Sequence, residues 1–406
     1  LTDSAAGGNA GGHDYADPPP FRTQLGPILF LTAIFFLNFI SRIIPSPLMP
    51  TIESDLRLNH GEAGALFLLT AAGYFVTLTG SGYVSSRLQH RRTIIVSAVA
   101  VGLALLSISL GRSLWSLRLG LLGLGMAAGL YLPSAIASLT SLVGPRHWGK
   151  AIAIHELAPN LGFVLAPLLT EVLLAWVSWR GILSLVGAAS LLTGIAYALF
   201  GRGGDFPGES PAFKSLRPLV AEPSFWIMMV LFSLGISSTV GIYSMLPLYL
   251  VAERGLEQNT ANTLVAISRV LSLAMALLSG WATDRFGPRP TMMAGLLLTG
   301  ILTVLIAVVP VSMIPFIVIA QAMPAVCFFP AGFAALSYIG PPGSRSIIVS
   351  FTIPVGFLAG AGLMPTLIGM MGDAGSFGLG FGLVGGMIIT GGLLSRFLRL
   401  SRGHKS

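Results

Sequence analysis

Ser81-Gly82-Tyr83-Val84-Ser85-Ser86-Arg87-Leu88-Gln89-His90-Arg91-Arg92-Thr93 lines up, 198 residues later, with Ser279-Gly280-Trp281-Ala282-Thr283-Asp284-Arg285-Phe286-Gly287-Pro288-Arg289-Pro290-Thr291. Each copy is a polar, basic island between long apolar runs, and one island repeated at a fixed offset points to a chain of two similar halves. The apolar runs on either side set the class. Of 406 residues, 54% are hydrophobic and 9% charged, against roughly a quarter charged in a soluble domain. So few charges cannot cover a water-soluble protein of this length, and the expected fold is an all-α polytopic membrane protein.

A hydrocarbon core of about 30 Å takes about 20 apolar residues per helix. Cutting the chain where charge or Pro/Gly clusters interrupt such runs predicts twelve spans: 27–52, 61–85, 93–111, 114–143, 148–176, 181–201, 222–252, 259–283, 289–309, 312–339, 345–371 and 376–398. Residues 1–25 mix Gly, Ala, Asp and Pro without an apolar run and read as a disordered cytoplasmic tail. The longest polar interruption then falls after the sixth span. The expected organisation is a six-helix bundle over 26–201, a cytoplasmic linker over 202–221, a second six-helix bundle over 222–399 and a basic tail over 400–406.

With both termini in the cytoplasm of a bacterial-type inner membrane, 16 of the 23 Lys and Arg lie on that side, among them Arg87, Arg91, Arg92, Arg285 and Arg289. The opposite loops hold Arg57, Arg112, Arg118, Arg180 and Arg254 beside Glu53, Asp55, Glu62, Glu253 and Glu257. This is the positive-inside pattern, so the net charge of +8 is a topology signal and calls for no nucleic-acid partner. Trp115, Trp176, Trp179 and Trp226 read as an interfacial aromatic belt. The single cysteine, Cys327, excludes an intrachain disulfide and any CxxC site. No cofactor or metal is expected.

The run Gly280-x-x-x-Asp284-Arg285-x-Gly287-x-Arg289 resembles the signature loop of the major facilitator superfamily, and the twelve spans and half-to-half repeat resemble that family over the chain after residue 25. The resemblance implies a secondary transporter with a midplane site between its halves that works by alternating access. Its loop implies a gate. Gly280 lets two helices touch, Asp284 pairs at a neighbouring helix end, and Arg285 and Arg289 face anionic lipid and helix C-termini. In the first copy Ser86 stands at the Asp place and Gln89 at the Gly place, so Arg87 and Arg91 form a weaker clasp or a plain positive-inside loop.

Ionisable side chains inside a bilayer are costly and are default site candidates. Arg42, ahead of Pro45 and Pro47 in the first span, sits in a stretch similar to the opening helix of the anion:cation symporter and organophosphate antiporter branches, where the matching arginine meets the substrate's anionic group. Ser41 stands where many of those symporters carry an acid. Snorkelling to the interface is the alternative for Arg42. Arg269 lies near the midplane of the eighth span, as in the monocarboxylate and nitrate branches, and either binds an anion or pairs with Glu156. Together the two arginines would form a clamp for a carboxylate or phosphate ester.

His155 and Glu156, about two turns into the fifth span, are candidates for taking up the coupled proton. Alternatively Glu156 neutralises an arginine, or His155 sits at headgroup level. Tyr74, Tyr243 and Gln321 complete the candidate substrate contacts. Gly162-x-x-x-Ala166-Pro167 is a diverged form of the drug antiporters' motif, with Glu171 beyond it as an outer gate residue. The expected function is proton-coupled transport of a small organic anion by a monomer among membrane lipids. The alternative is proton-driven efflux of amphipathic drugs, and no nucleophile or phosphate-loop motif suggests an enzyme.

Overall fold

The computed structural model describes residues 20–209, 220–339 and 345–400. Within them are twelve helical spans long and apolar enough to cross a membrane: Phe21–Leu56, His60–Leu88, His90–Leu110, Leu114–Leu142, Pro145–Leu174, Trp179–Phe200, Pro223–Ala252, Gln258–Phe286, Pro288–Val308, Val311–Leu336, Ile348–Asp373 and Phe377–Phe397. The first begins at Phe21, so residues 21–25 belong to a helix and not to the expected tail, most of which lies outside the described residues. Of the expected linker, residues 202–209 are described. They fold back on the first half, where His90 and Arg91 donate backbone N–H groups to the Phe206 and Gly204 carbonyls.

The helices start and stop for local reasons. Asn59 and Glu62 form a reciprocal capping box at the head of the second span, and Ser113, Ser178 and Ser376 cap the fourth, sixth and twelfth. Prolines interrupt them. The first span breaks at Ile44 before Pro45, the fourth at Leu130 before Pro133, and the fifth at Glu156 before Pro159.

The repeat seen in the sequence is also a repeat of packing. In the first half the third span lies against the sixth, and in the second half the ninth lies against the twelfth. A Cβ on Gly102 would stand 2.7 Å from the Gly187 carbonyl oxygen, and one on Gly300 would stand 2.9 Å from that of Gly385. Both pairs obey the 198-residue offset. Only hydrogen at these Cα atoms allows backbones to meet so closely.

The signature loop has the same explanation at one position and a different one at another. Gly287 has φ 91 and ψ 161, and Gln89, its counterpart, adopts φ 70 and ψ 158. The Gly position thus exists to turn a corner between two helices in a region that side chains avoid. Gly280 does not hold two helices in contact here, because a Cβ there would meet nothing within 4 Å. Asp284 is exposed and has no ion-pair partner among the described residues. Arg285 lies over the Phe286 ring and Arg289 donates to the Arg396 carbonyl. Arg91 pairs with Asp205 at 3.3 Å and also donates to the Ala198 carbonyl, both in its own half, while Arg87 lies on the Tyr83 ring.

The halves meet along three helix pairs: first with seventh, second with eleventh and fifth with eighth. At the end that carries Glu53 and Asp373 they are tied by polar contacts. Ser46 donates to the Tyr243 carbonyl at 2.7 Å, and Gln258 and Asn262 both donate to the Pro47 carbonyl, at 3.0 and 3.2 Å. Asn262 also donates to Glu171, which stands in the seam between the halves. Arginines at this end have partners in their own half: Arg118 pairs with Glu62 and Arg180 with Asp55. Trp179 departs from the aromatic-belt expectation. It is buried and donates its indole N–H to Asp55, whereas Trp115, Trp176 and Trp226 are exposed.

Candidate functional site

Between these helix pairs the two intramembrane arginines lie in an aromatic setting. Arg42, half-buried on the first span, stands 4.4 Å over the Tyr74 ring, 5.3 Å from Phe39 and 5.9 Å from Phe357 of the opposite half. Arg269, 3% exposed, stands 4.8 Å from Phe163 and 5.1 Å from Tyr243. Phe163 links the two sites, edge to face with Phe39 at 5.0 Å and with Tyr243 at 5.0 Å. Six spans and both halves contribute. The rings supply negative faces to the guanidiniums in place of carboxylates.

The hydrogen-bond inventory separates the two arginines. Arg42 directs its Nε–H toward the Asn38 carbonyl at 3.4 Å, one turn back on its own helix. Arg269 donates from Nη2 to the Thr239 carbonyl at 2.9 Å. That carbonyl lies in a π-helical turn of the seventh span, Ser237–Gly241, and such a turn frees backbone oxygens from the regular ladder. The Nε–H and Nη1–H groups of Arg269 are buried and have no acceptor among the described residues. A buried guanidinium with idle donors is costly unless something anionic fills them during function.

The fifth span brings up the titratable pair. Pro159 has no N–H to offer the His155 carbonyl, the helix breaks at Glu156, and the Asn160 amide donates to the Glu156 carbonyl at 2.8 Å. His155 is fully buried and stacked on Phe35 at 4.3 Å. Tyr131 donates its hydroxyl hydrogen to the Leu31 carbonyl at 2.6 Å, which leaves its oxygen to accept from His155 Nε2–H at 3.1 Å. This bookkeeping assigns the tautomer. Nδ1 carries the lone pair, makes no hydrogen bond and stands 3.7 Å from the half-exposed Glu156 carboxylate. Glu156 has no arginine in ion-pair range among the described residues, so the expected alternatives of pairing with Arg269 or neutralising another arginine are not met.

Tyr74 and Tyr243 therefore join the arginines, and Gln321 does not. Gln321 is buried in the second half, where its amide N–H groups go to the Ser238 carbonyl at 3.0 Å and the Thr299 and Thr303 hydroxyls at 3.2 and 3.3 Å. Phe39, Phe163, Phe357 and the Thr239 carbonyl were not singled out in the sequence. Aromatic residues on apolar helices carry no signal of their own, and a π turn has none that we can read.

Paired six-helix bundles of apolar spans, with two arginines held between the bundles, define a polytopic membrane carrier. The profile of the Major Facilitator Superfamily matches residues 31–268 and 253–406, and the chain belongs to that family of transporters. It is 28% identical over 370 residues to a 3-(3-hydroxyphenyl)propionate transporter of Escherichia coli, covering 86% of this chain and 88% of the relative. It is 22% identical over 360 residues to a multidrug resistance protein of Escherichia fergusonii, covering 87% and 90%. The solved structure of a D-xylose-proton symporter superposes with a TM-score of 0.76 at 17% identity, covering 93% of this chain and 99% of that one.

Proposed function

We propose that this transporter moves a small organic anion by alternating access, coupled to protons, with both termini in the cytoplasm. The observation that carries this reading is Arg269, buried between the halves with two N–H groups that have no acceptor among the described residues. An anion arriving there gains charge-assisted hydrogen bonds without first breaking an ion pair. Arg42, seated against Phe39 and Tyr74 with one long contact to the Asn38 carbonyl, is the second cation of the site. Closure of the Asp373 end directs the site to the opposite end, which carries the basic loops. Transport then requires the ties at Pro47, Tyr243 and Glu171 to part.

The proton is held by the His155–Glu156 pair. With Nε2–H engaged by Tyr131, a proton added to the imidazole goes to Nδ1, where the Glu156 carboxylate 3.7 Å away balances it. The 3-(3-hydroxyphenyl)propionate relative, whose named substrate is a carboxylate, supports the anion class.

A second reading, proton-driven efflux of amphipathic drugs, is favoured by the aromatic lining and by the multidrug relative. The two are separated by a thermal-shift screen of purified protein with carboxylates, phosphate esters and lipophilic cations, since a true ligand stabilises the native state by mass action. Stabilisation by anions supports the proposal. Stabilisation by cations alone overturns it in favour of efflux.

A further inference from the structure

The seam at the Asp373 end contains an acid that the anion site does not use. Glu171, near the end of the fifth span, is half-buried and accepts from Asn262 Nδ2 of the eighth span. Asn262 is fully buried, and the same Nδ2 donates to the Pro47 carbonyl of the first span at 3.2 Å. Two acceptors on one side fix the orientation of the amide, since a flipped Asn262 would set its oxygen against the Pro47 carbonyl. Asn262 Oδ1 is then left buried, with no donor among the described residues. A buried amide oxygen without a donor is costly.

The surroundings narrow what the missing donor is. The helix that carries Glu171 packs on the first, sixth and eighth spans. Of the charged groups on these spans at this end, Glu257 and Arg57 are exposed, Glu53 contacts His60, and Asp55 pairs with Arg180. None stands in ion-pair range of Glu171 among the described residues. The Pro47 carbonyl takes N–H groups from both Asn262 and Gln258, which occupies its two lone pairs and leaves none for a metal ion. A proton on the Glu171 carboxylate meets the need. The neutral acid accepts from Asn262 Nδ2–H and donates its own O–H to Oδ1, so acid and amide pair reciprocally.

We propose that Glu171 is a second proton-binding site, filled from the water at this end when the halves close there and emptied to the same water when they part. It lies 15 residues beyond Glu156 on the fifth span, about 22 Å at the helical rise, and is separate from the His155–Glu156 pair. Its proton returns to the side it came from, so it sets the gate and adds nothing to the coupled stoichiometry. The closed state holds one proton more than the open state, and acid therefore favours closure by up to about tenfold in population per pH unit. This rests on the alternating access proposed above and on no particular substrate.

The test is a distance measurement between spin labels at the exposed positions Arg112 and Ser312, in opposite halves at this end, on the full chain in lipid nanodiscs from about pH 5 to 8 without substrate. The shorter, closed-state distance is expected to gain weight as the pH falls. Glu171→Gln carries an amide that accepts from Asn262 Nδ2–H and donates to Oδ1 as the neutral acid does, so it is expected to keep the acid-form distribution at every pH. That variant also subtracts the response of Asp373, Glu53 and His60, which titrate at the same end. A Glu171→Gln protein with the full wild-type pH response, or a wild type that opens on acidification, would overturn the proton site. Closure that follows sodium over potassium at fixed pH would overturn it in favour of a metal ion. A single distance in every wild-type sample would contradict the alternating access on which the site rests.

Discussion

The Asp373 carboxylate, at the end of the eleventh span, caps the second span in the opposite half: it accepts from the His60 N–H at 2.7 Å and from the Gly61 N–H at 2.8 Å. One side chain thereby satisfies two orphan donors of a helix N-terminus and places negative charge at the positive end of its dipole. His60 is fixed further by its Nδ1 contact with Glu53 at 2.9 Å and by the Phe377 ring at 4.5 Å. A cap that spans both halves closes this end of the carrier. In the alternating access proposed above, it breaks each time that end opens.

Removing the cap is therefore expected to shift the conformational balance. Asp373→Ala should cost the closed state about 1 kcal/mol, roughly a fivefold change in population. Spin labels at the exposed positions Arg112 and Glu257, in opposite halves at this end, would report it as growth of a longer-distance component. An unchanged distance distribution would mean that Asp373 is not a latch.

For the fifth span, Glu156→Gln keeps size and hydrogen bonding but removes the charge facing His155 Nδ1. Accumulation driven by a pH gradient should be lost in proteoliposomes while exchange of labelled for unlabelled substrate persists. Loss of both would make Glu156 a binding or folding residue instead. Tyr131→Phe should destabilise the fold by about 1 to 3 kcal/mol, because it leaves the His155 Nε2–H buried without its acceptor. Thermal unfolding checks that sign.

Gln89 offers a test in which stability should rise. Its φ of 70 with ψ of 158 is a conformation that favours glycine, the residue found at the matching place in the second half. Gln89→Gly is expected to stabilise the protein by about 1 kcal/mol, and Gly287→Ala to destabilise it by at least as much. A lower Tm for Gln89→Gly would show that the glutamine side chain does more than tolerate the corner.

Span number, the two halves and the arginines were legible because lipid forces them into composition and period. Gly102–Gly187 and Gly300–Gly385 show how literally the 198-residue offset is copied into packing. What was not legible depends on partners far apart in the chain. His155 could be placed in a helix but not between Phe35 and Tyr131, and nothing in the sequence sets Asp373 beside His60. Gln321 looked like a site residue because a polar side chain in an apolar run signals cost, and that cost is met by Ser238, Thr299 and Thr303 in its own half. The idle donors of Arg269 depend on a π turn of the seventh span, which the apolar run around Thr239 does not announce.

The central claim is that Arg269 is the anion-binding cation, and the most direct measurement is the affinity of the anion that most stabilises the wild-type protein, repeated on Arg269→Ala and Arg269→Lys with folding verified. Each lost charge-assisted hydrogen bond is worth about 1.5 to 3 kcal/mol, so Arg269→Ala should weaken binding by roughly one to two decades. Arg269→Lys should recover part of this, since a point charge replaces the planar donor set. A well-folded Arg269→Ala protein that binds the anion as tightly as the wild type would contradict the account.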